Sequence, residues 1–159
     1  MDLTAVANEW YTRLRTSGRD TPMNASTAKV LGEALERLGL RGSMTVVSKI
    51  PPITAATDAE AESFIEETLR ESRRRLRLER LDACLFHRED DLRYLPLLEQ
   101  MVTKGLIGGA GVSLDSDRYL SAAASAKYIQ LPQNALDRRF ETFWPVVREN
   151  QITVFARSV

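Results

Sequence analysis

The sequence is poor in the residues that most often build reactive centres: its 159 residues hold one cysteine, Cys84, and one histidine, His87. A single cysteine excludes an internal disulfide and fits a reducing cytoplasm, the location expected for the chain. Cys84 lies in the mostly apolar run Leu81–Phe86, so it reads as a core residue rather than a nucleophile. No metal site is expected. Excess charge of one sign is also missing, since 22 Lys and Arg balance 22 Asp and Glu. That balance gives no long-range pull on nucleic acid or on an anionic membrane. The basic run Arg73-Arg74-Arg75 sits in a Glu-rich helical pattern and reads as a solvated helix face. No stretch approaches the roughly 20 apolar residues of a membrane span. The opening Met1-Asp2-Leu3-Thr4 lacks the basic and apolar regions of a secretory signal. Internal repeats, low-complexity segments and an interdomain linker are absent as well. What is present is the composition of one globular domain over residues 1–159, with 43% apolar and 28% charged residues.

Apolar spacing predicts helices over 3–15 and over Ser26–Leu38, the second stopped by Gly39. From there strands and helices alternate. Strands are expected near 44–49, 82–86, 107–112, 127–131 and 152–157. The helices between them are expected from Thr57 or Asp58 to about 77, and over Asp91–Thr103, Asp115–Ala124 and Arg139–Glu149. Pro145 is expected to kink or interrupt the last of these. This order predicts about five parallel strands in sequential neighbour order, with helices packed outside them. The strands are nearly continuous in apolar residues, as burial on both faces requires.

Such an order fits an open doubly wound sheet or part of a barrel. The open dinucleotide-binding form needs a glycine-rich turn that opens a helix after its first strand. Gly108-Gly109-Ala110-Gly111 lies inside a strand-like run and lacks the G-x-G-x-x-G spacing. A closed barrel has eight strands in about 250 residues, so five strands would be a part of one.

In parallel α/β folds, reactive side chains gather at the C-terminal ends of the strands. Lys49, His87 and Ser113 end the first three strands, Gln130 and Asn134 lie around the end of the fourth, and Arg157 and Ser158 end the last. Any loop leading to a helix is polar, so each residue alone is weak evidence; the set together predicts one pocket rim.

Four blocks carry a resemblance: Val46–Lys49, Leu81–Arg88, Gly105–Ser113 and Ile129–Arg139. In this order and spacing they are similar to successive blocks of the aldo/keto reductases. Val154–Val159 resembles the seventh strand of a bacterial branch of that family, and Val30–Leu35 the helix after its second strand. The resemblance covers about residues 20–159. It implies an α/β fold, a partial (β/α)8 TIM barrel without its first and eighth strands, and NAD(P)H-dependent reduction of a small-molecule carbonyl, aldehyde or ketone. It further implies NADPH, less often NADH, as the cofactor. Lys49 and His87 match the Lys and His of the family's Asp-Tyr-Lys-His tetrad, and Asp20 is the candidate Asp. The position of the tetrad Tyr falls on Asn24 or Ala25, depending on the anchor, and neither is Tyr. Ser113 and Gln130 correspond to residues that hold the nicotinamide carboxamide, while Leu114 stands where Asn is usual. Arg157 corresponds to a position that stacks on nicotinamide, and Ser158 follows it. The 2′-phosphate clamp would lie beyond Val159, so weak cofactor binding is expected.

Three readings follow. The chain is an aldo/keto reductase with impaired activity, a non-catalytic barrel fragment serving as a binding or interaction module, or an unrelated small α/β protein. Open sheet edges at the first and last strands are expected to favour self-association.

Overall fold

A computed structural model of the chain describes residues 25–158. The helix expected over 3–15 and the candidates Asp20 and Asn24 lie outside that range. The described residues form two compact units, residues 25–45 with 70–79, and residues 46–69 with 80–158.

In the first unit, helix α1 (Ala25–Arg37) forms within one residue of the expected span. Gly39 ends it in the left-handed region, at φ 66°. The Leu40 N–H then returns to the Leu35 carbonyl at 2.9 Å, satisfying a carbonyl the helix leaves open. Gly32 lies where a Cβ would meet the Arg75 carbonyl oxygen at 2.6 Å, so only glycine permits that approach. Arg77 bridges to Glu36 and Glu33.

The second unit holds a five-stranded sheet. Its strands are β1 (Val47–Ile50), β2 (Ala83–Phe86), β3 (Ala110–Ser113), β4 (Tyr128–Pro132) and β5 (Thr153–Arg157). They are all parallel and lie in the order β1-β2-β3-β4-β5, as the alternating pattern predicts. Helix α2 (Asp58–Leu76) follows β1, and its residues 70–76 belong to the first unit. Thr57 begins it with reciprocal bonds: its Oγ1 accepts from the Glu60 N–H, and the Glu60 carboxylate accepts from the Thr57 and Ala56 N–H groups. Ala61, Ile65 and Leu69, four residues apart, are fully buried. Arg74 and Arg75 both donate to Glu71, at 2.7 and 2.6 Å, so two members of the basic run are spent on their own helix.

Three expected helices are shorter and start with a 3₁₀ turn. The Asp91–Thr103 helix is a 3₁₀ turn over Glu89–Tyr94 and then α3 (Leu95–Thr103). The Asp115–Ala124 helix is a turn over Asp117–Tyr119 and then α4 (Leu120–Ala123). The Arg139–Glu149 helix is a turn over Glu141–Phe143 and then α5 (Trp144–Glu149). Pro145 sits in the first turn of α5 and does not kink it. A proline there withholds an N–H that would have had no partner in the helix anyway.

The paired register separates two faces. Ile50, Cys84, Phe86, Val112, Ile129 and Leu131 share one face and are almost completely buried. Lys49, Leu85, Gly111, Tyr128, Gln130, Phe155 and Arg157 share the other, which also carries Ser113. On this second face Lys49, Tyr128, Gln130, Phe155 and Arg157 stay half-buried. Tyr128 and Phe155 stack there, with ring centroids 5.7 Å apart. The glycines of the third block serve this packing. A Cβ on Gly108 would lie 2.5 Å from the Asp82 carbonyl oxygen, one on Gly109 2.3 Å from the Tyr128 ring, and one on Gly111 2.0 Å from the Tyr128 carbonyl oxygen.

Candidate functional site

The C-terminal ends of β1 to β5 bring together most of the residues expected there. Lys49 is the next-to-last residue of β1, and its partner on β2 is Leu85. Its side chain passes over β2 and donates from Nζ to Ser113 Oγ on β3 at 3.3 Å. A lysine arm is long enough to cross an intervening strand, since neighbouring strands lie about 4.8 Å apart. Ser113, 3% exposed, in turn donates to Gln130 Oε1 on β4 at 3.3 Å. Ser113 and Gln130 are register partners, so they stand at one level.

Arg157 closes the group from β5. One guanidinium nitrogen donates to the Leu114 carbonyl at 3.1 Å and to the Asp115 carboxylate. Arg157 Nε is buried without a partner among the described residues. The Lys49 pKa is lowered, chiefly by burial and then by the charge of Arg157, against the opposing pull of Asp115. That influence marks Lys49, Arg157 and Asp115 as electrostatic neighbours.

His87 follows β2 and is exposed, while its backbone N–H continues the ladder to the Ile50 carbonyl at 3.0 Å. Strand alternation assigns it to the face of Leu85 and Lys49, one level higher. Ser158, exposed and at φ 58°, contributes its carbonyl to Asn134 Nδ2 at 2.9 Å. Asn134 Oδ1 also accepts from the N–H groups of Leu136 and Asp137, so this residue shapes the loop after β4. Leu114 is fully buried and takes part through its backbone, donating to the Gln130 carbonyl at 2.8 Å.

Sequence reasoning missed the acidic residues that fix this rim. Glu89 accepts from the N–H groups of Asp115 and Ser116 at 2.8 and 2.9 Å and from Ser116 Oγ at 2.6 Å. Asp91, 4% exposed, accepts from the Ile53 N–H at 3.3 Å, and burial raises its pKa. Arg139 binds Asp137 and the Asp115 carbonyl. The consecutive acids Glu89-Asp90-Asp91 right after a strand end were the available signal. A separate cleft of about 580 Å³ lies at the N-terminal ends of β3 to β5, lined in part by Gly108, Lys127, Asn150 and Gln151. Among the described residues no cluster of His, Cys, Asp or Glu could hold a metal ion, and no helix is long and apolar enough to cross a membrane.

A sequence model described as the Aldo/keto reductase family matches residues 23–159. No curated protein matches the sequence. Among solved structures, the holo form of an aldo-keto reductase from Bacillus halodurans is 23% identical with a TM-score of 0.68, and the match covers 84% of this chain and 48% of that one. An aldo/keto reductase from Klebsiella pneumoniae, solved with NADP and acetate, is 24% identical with a TM-score of 0.68, over 83% of this chain and 48% of its own. A thermostable aldo-keto reductase solved with the inhibitor epalrestat is 25% identical with a TM-score of 0.68, over 83% and 50% respectively. The chain spans about half the length of these structures. Its five-stranded parallel sheet is a part of their barrel.

Proposed function

The chain belongs to the aldo/keto reductase family, and from that premise we propose that Lys49, His87, Ser113, Gln130 and Arg157 line a site for NADPH-dependent reduction of an aldehyde or ketone. NADH is the lesser alternative cofactor. The observation that carries the reading is the chain of hydrogen bonds from Lys49 through Ser113 to Gln130, set across the C-terminal strand ends. Solved relatives that hold NADP or NADPH support the choice of cofactor.

Ser113 and Gln130 stand side by side and fit the carboxamide of a nicotinamide ring, with Gln130 Nε2 free to reach its oxygen. Arg157 and Ser158 would border the ring from β5. When bound, the cofactor supplies a hydride. The residues then have to manage the charge that develops on the carbonyl oxygen. Lys49 brings a positive charge that opposes the cost of a developing alkoxide. His87 is exposed and is the remaining candidate to deliver a proton, because neither Asn24 nor Ala25 carries a hydroxyl. Asp20 stays the proposed partner of Lys49. General acid help is worth about 10²–10⁴ in rate, so turnover without the family's Tyr is slow. A reducing cytoplasm is the proposed setting, consistent with the buried free thiol of Cys84.

The test is NADPH titration by fluorescence, followed by NADPH oxidation with a panel of aldehydes. Expected are a dissociation constant weaker than about 1 μM, or less than about 8 kcal/mol of binding, and slow turnover lost in His87→Ala. Absence of any NADPH binding would remove the reductase reading. It would leave a non-catalytic interaction module, which one observation favours: β1 and β5 are the sheet edges, each paired on one side only among the described residues. Self-association through those edges would appear as a concentration-dependent mass in light scattering.

A further inference from the structure

A peptide unit is flat, so a partner on its N–H edge also sets where the carbonyl on the opposite edge points. Two such units flank Asp115. The N–H of the Leu114–Asp115 unit donates to Glu89 at 2.8 Å, and its carbonyl accepts from Arg157 at 3.1 Å. The N–H of the Asp115–Ser116 unit donates to Glu89 at 2.9 Å, and its carbonyl accepts from Arg139 at 2.7 Å. One Glu89 oxygen takes both N–H groups, and the other takes the Ser116 hydroxyl at 2.6 Å. With both units held, the two backbone angles of Asp115 are held as well, and so is the direction of its side chain. The Leu114 N–H, bonded to the Gln130 carbonyl, belongs to the preceding unit and leaves the Leu114 carbonyl free to turn.

What this segment presents to Arg157 is a pair of acceptors. A single guanidinium nitrogen, Nη2, donates to the Leu114 carbonyl and to the Asp115 carboxylate. The two N–H bonds of that nitrogen lie in the plane of the flat guanidinium, so the two acceptors set how the plane is turned. Both acceptors belong to the segment that Glu89 fixes. A carboxylate drawing on an N–H also polarises the carbonyl across the same peptide, which strengthens the next bond in the chain. We infer that Glu89 is a positioning residue: through the two peptide units flanking Asp115 it holds the Arg157 guanidinium in one orientation.

The value of that orientation to a ligand rests on the reading of this rim as the nicotinamide end of a cofactor site. A flat cation that borders a flat ring packs against it in one orientation and loses contact in others. Glu89 therefore acts on the ring site from β2 by way of β3 and β5, with no contact of its own to the ring.

The test uses the full 159-residue chain without ligand and reads the NMR order parameter of the Arg157 Nε–H, assigned by its loss in Arg157→Lys. A held guanidinium should give about 0.8, and Glu89→Ala should lower it to below about 0.6. Glu89→Asp, one methylene shorter, cannot keep all three bonds and should also loosen Arg157; it serves as the second variant where Glu89→Ala does not fold. Glu89→Gln should restore the native value, because its amide oxygen can take both N–H groups and its amide nitrogen can donate to the Ser116 hydroxyl. The control is the Asn134 side-chain amide, held on the same rim by the Ser158 carbonyl at 2.9 Å and not through Glu89; it should not change. A mobile Arg157 in the native chain, an Arg157 unmoved by Glu89→Ala or Glu89→Asp, equal loosening of Asn134, or no rescue by Glu89→Gln would each overturn the inference. NADPH titration keeps this separate from the cofactor reading. If the native chain binds no NADPH, the reductase reading falls and the order parameters alone decide the role of Glu89. If it binds, Glu89→Ala should weaken binding about two- to twelve-fold, the cost of ordering one side chain, and should do so no further in an Arg157→Ala chain. An equal loss in that background would show that Glu89 does not act through Arg157.

Discussion

Replacing Gly111 with alanine tests whether the glycines of β3 exist for packing. The added Cβ would sit 2.0 Å from the Tyr128 carbonyl oxygen and 2.5 Å from Leu85 Cδ2. Ordinary contact begins near 3.4 Å, so the first clash is 1.4 Å too close. The obstacle is backbone, which cannot turn aside as a side-chain tip can. Relief requires β3 and β4 to part, and that lengthens their ladder along with the Leu114 to Gln130 bond at 2.8 Å. Overpacking costs about 1–3 kcal/mol, and each stretched bond adds up to about 1 kcal/mol. The expected loss is about 3 kcal/mol, or a fall in Tm of about 6–12 °C for a chain of this size. Urea unfolding followed by circular dichroism measures it. Gly39→Ala is the comparison: there φ is 66° and nothing lies within 4 Å, so only backbone strain of about 1–2 kcal/mol applies. A Gly111→Ala loss under about 1 kcal/mol, or one smaller than that of Gly39→Ala, would refute the packing argument.

Two further predictions concern buried groups. Burial raises the Asp91 pKa, so the folded state binds its proton first, and the cost of holding the charge is fully present above the folded pKa. Asp91→Asn, which can still accept from Ile53, should therefore have the higher Tm at pH 7, and the difference should vanish as pH falls below the ordinary carboxylate range; a lower Tm at neutral pH would contradict this. The Cys84 thiol is pushed up to about 12 by burial, so its alkylation at pH 8.5 should run about 10³-fold slower in the native chain than in denaturant, and rapid native labelling would show the core to be open.

The strands were legible because parallel burial demands apolar runs, and Leu81–Phe86 or Ile152–Ala156 can satisfy little else. The starts of β1 and β3 were not. Met44 and Thr45 look like strand but are exposed, because β1 is met at Val46 by a side chain: the Asp82 carboxylate takes the Val46 N–H at 2.7 Å. Ile107 makes a single bridge to Leu81, and the glycines after it delay the ladder until Ala110. Where a kink or interruption was expected at Pro145, the proline instead marks the first turn of α5. At the site, Lys49, Ser113 and Gln130 could be found because strand ends collect functional groups. The bond that joins Lys49 to Ser113 could not, since it crosses β2 and depends on side-chain reach. Glu89 and Asp91 were hidden for a related reason: their partners lie 26 and 38 residues away, beyond any local pattern.

The Glu89 carboxylate has a consequence in time as well as in space. It holds the segment after β3 by three donors at once, all within one residue of each other. Opening that segment means giving up three bonds to a charged acceptor together, and hydrogen bonds to charged groups are the strong ones. The amide protons of Asp115 and Ser116 should thus exchange slowly for a surface loop. A ligand arriving at Ser113 meets a surface that does not have to order itself first, so its association is set by diffusion and by the shedding of water rather than by waiting for a loop to settle.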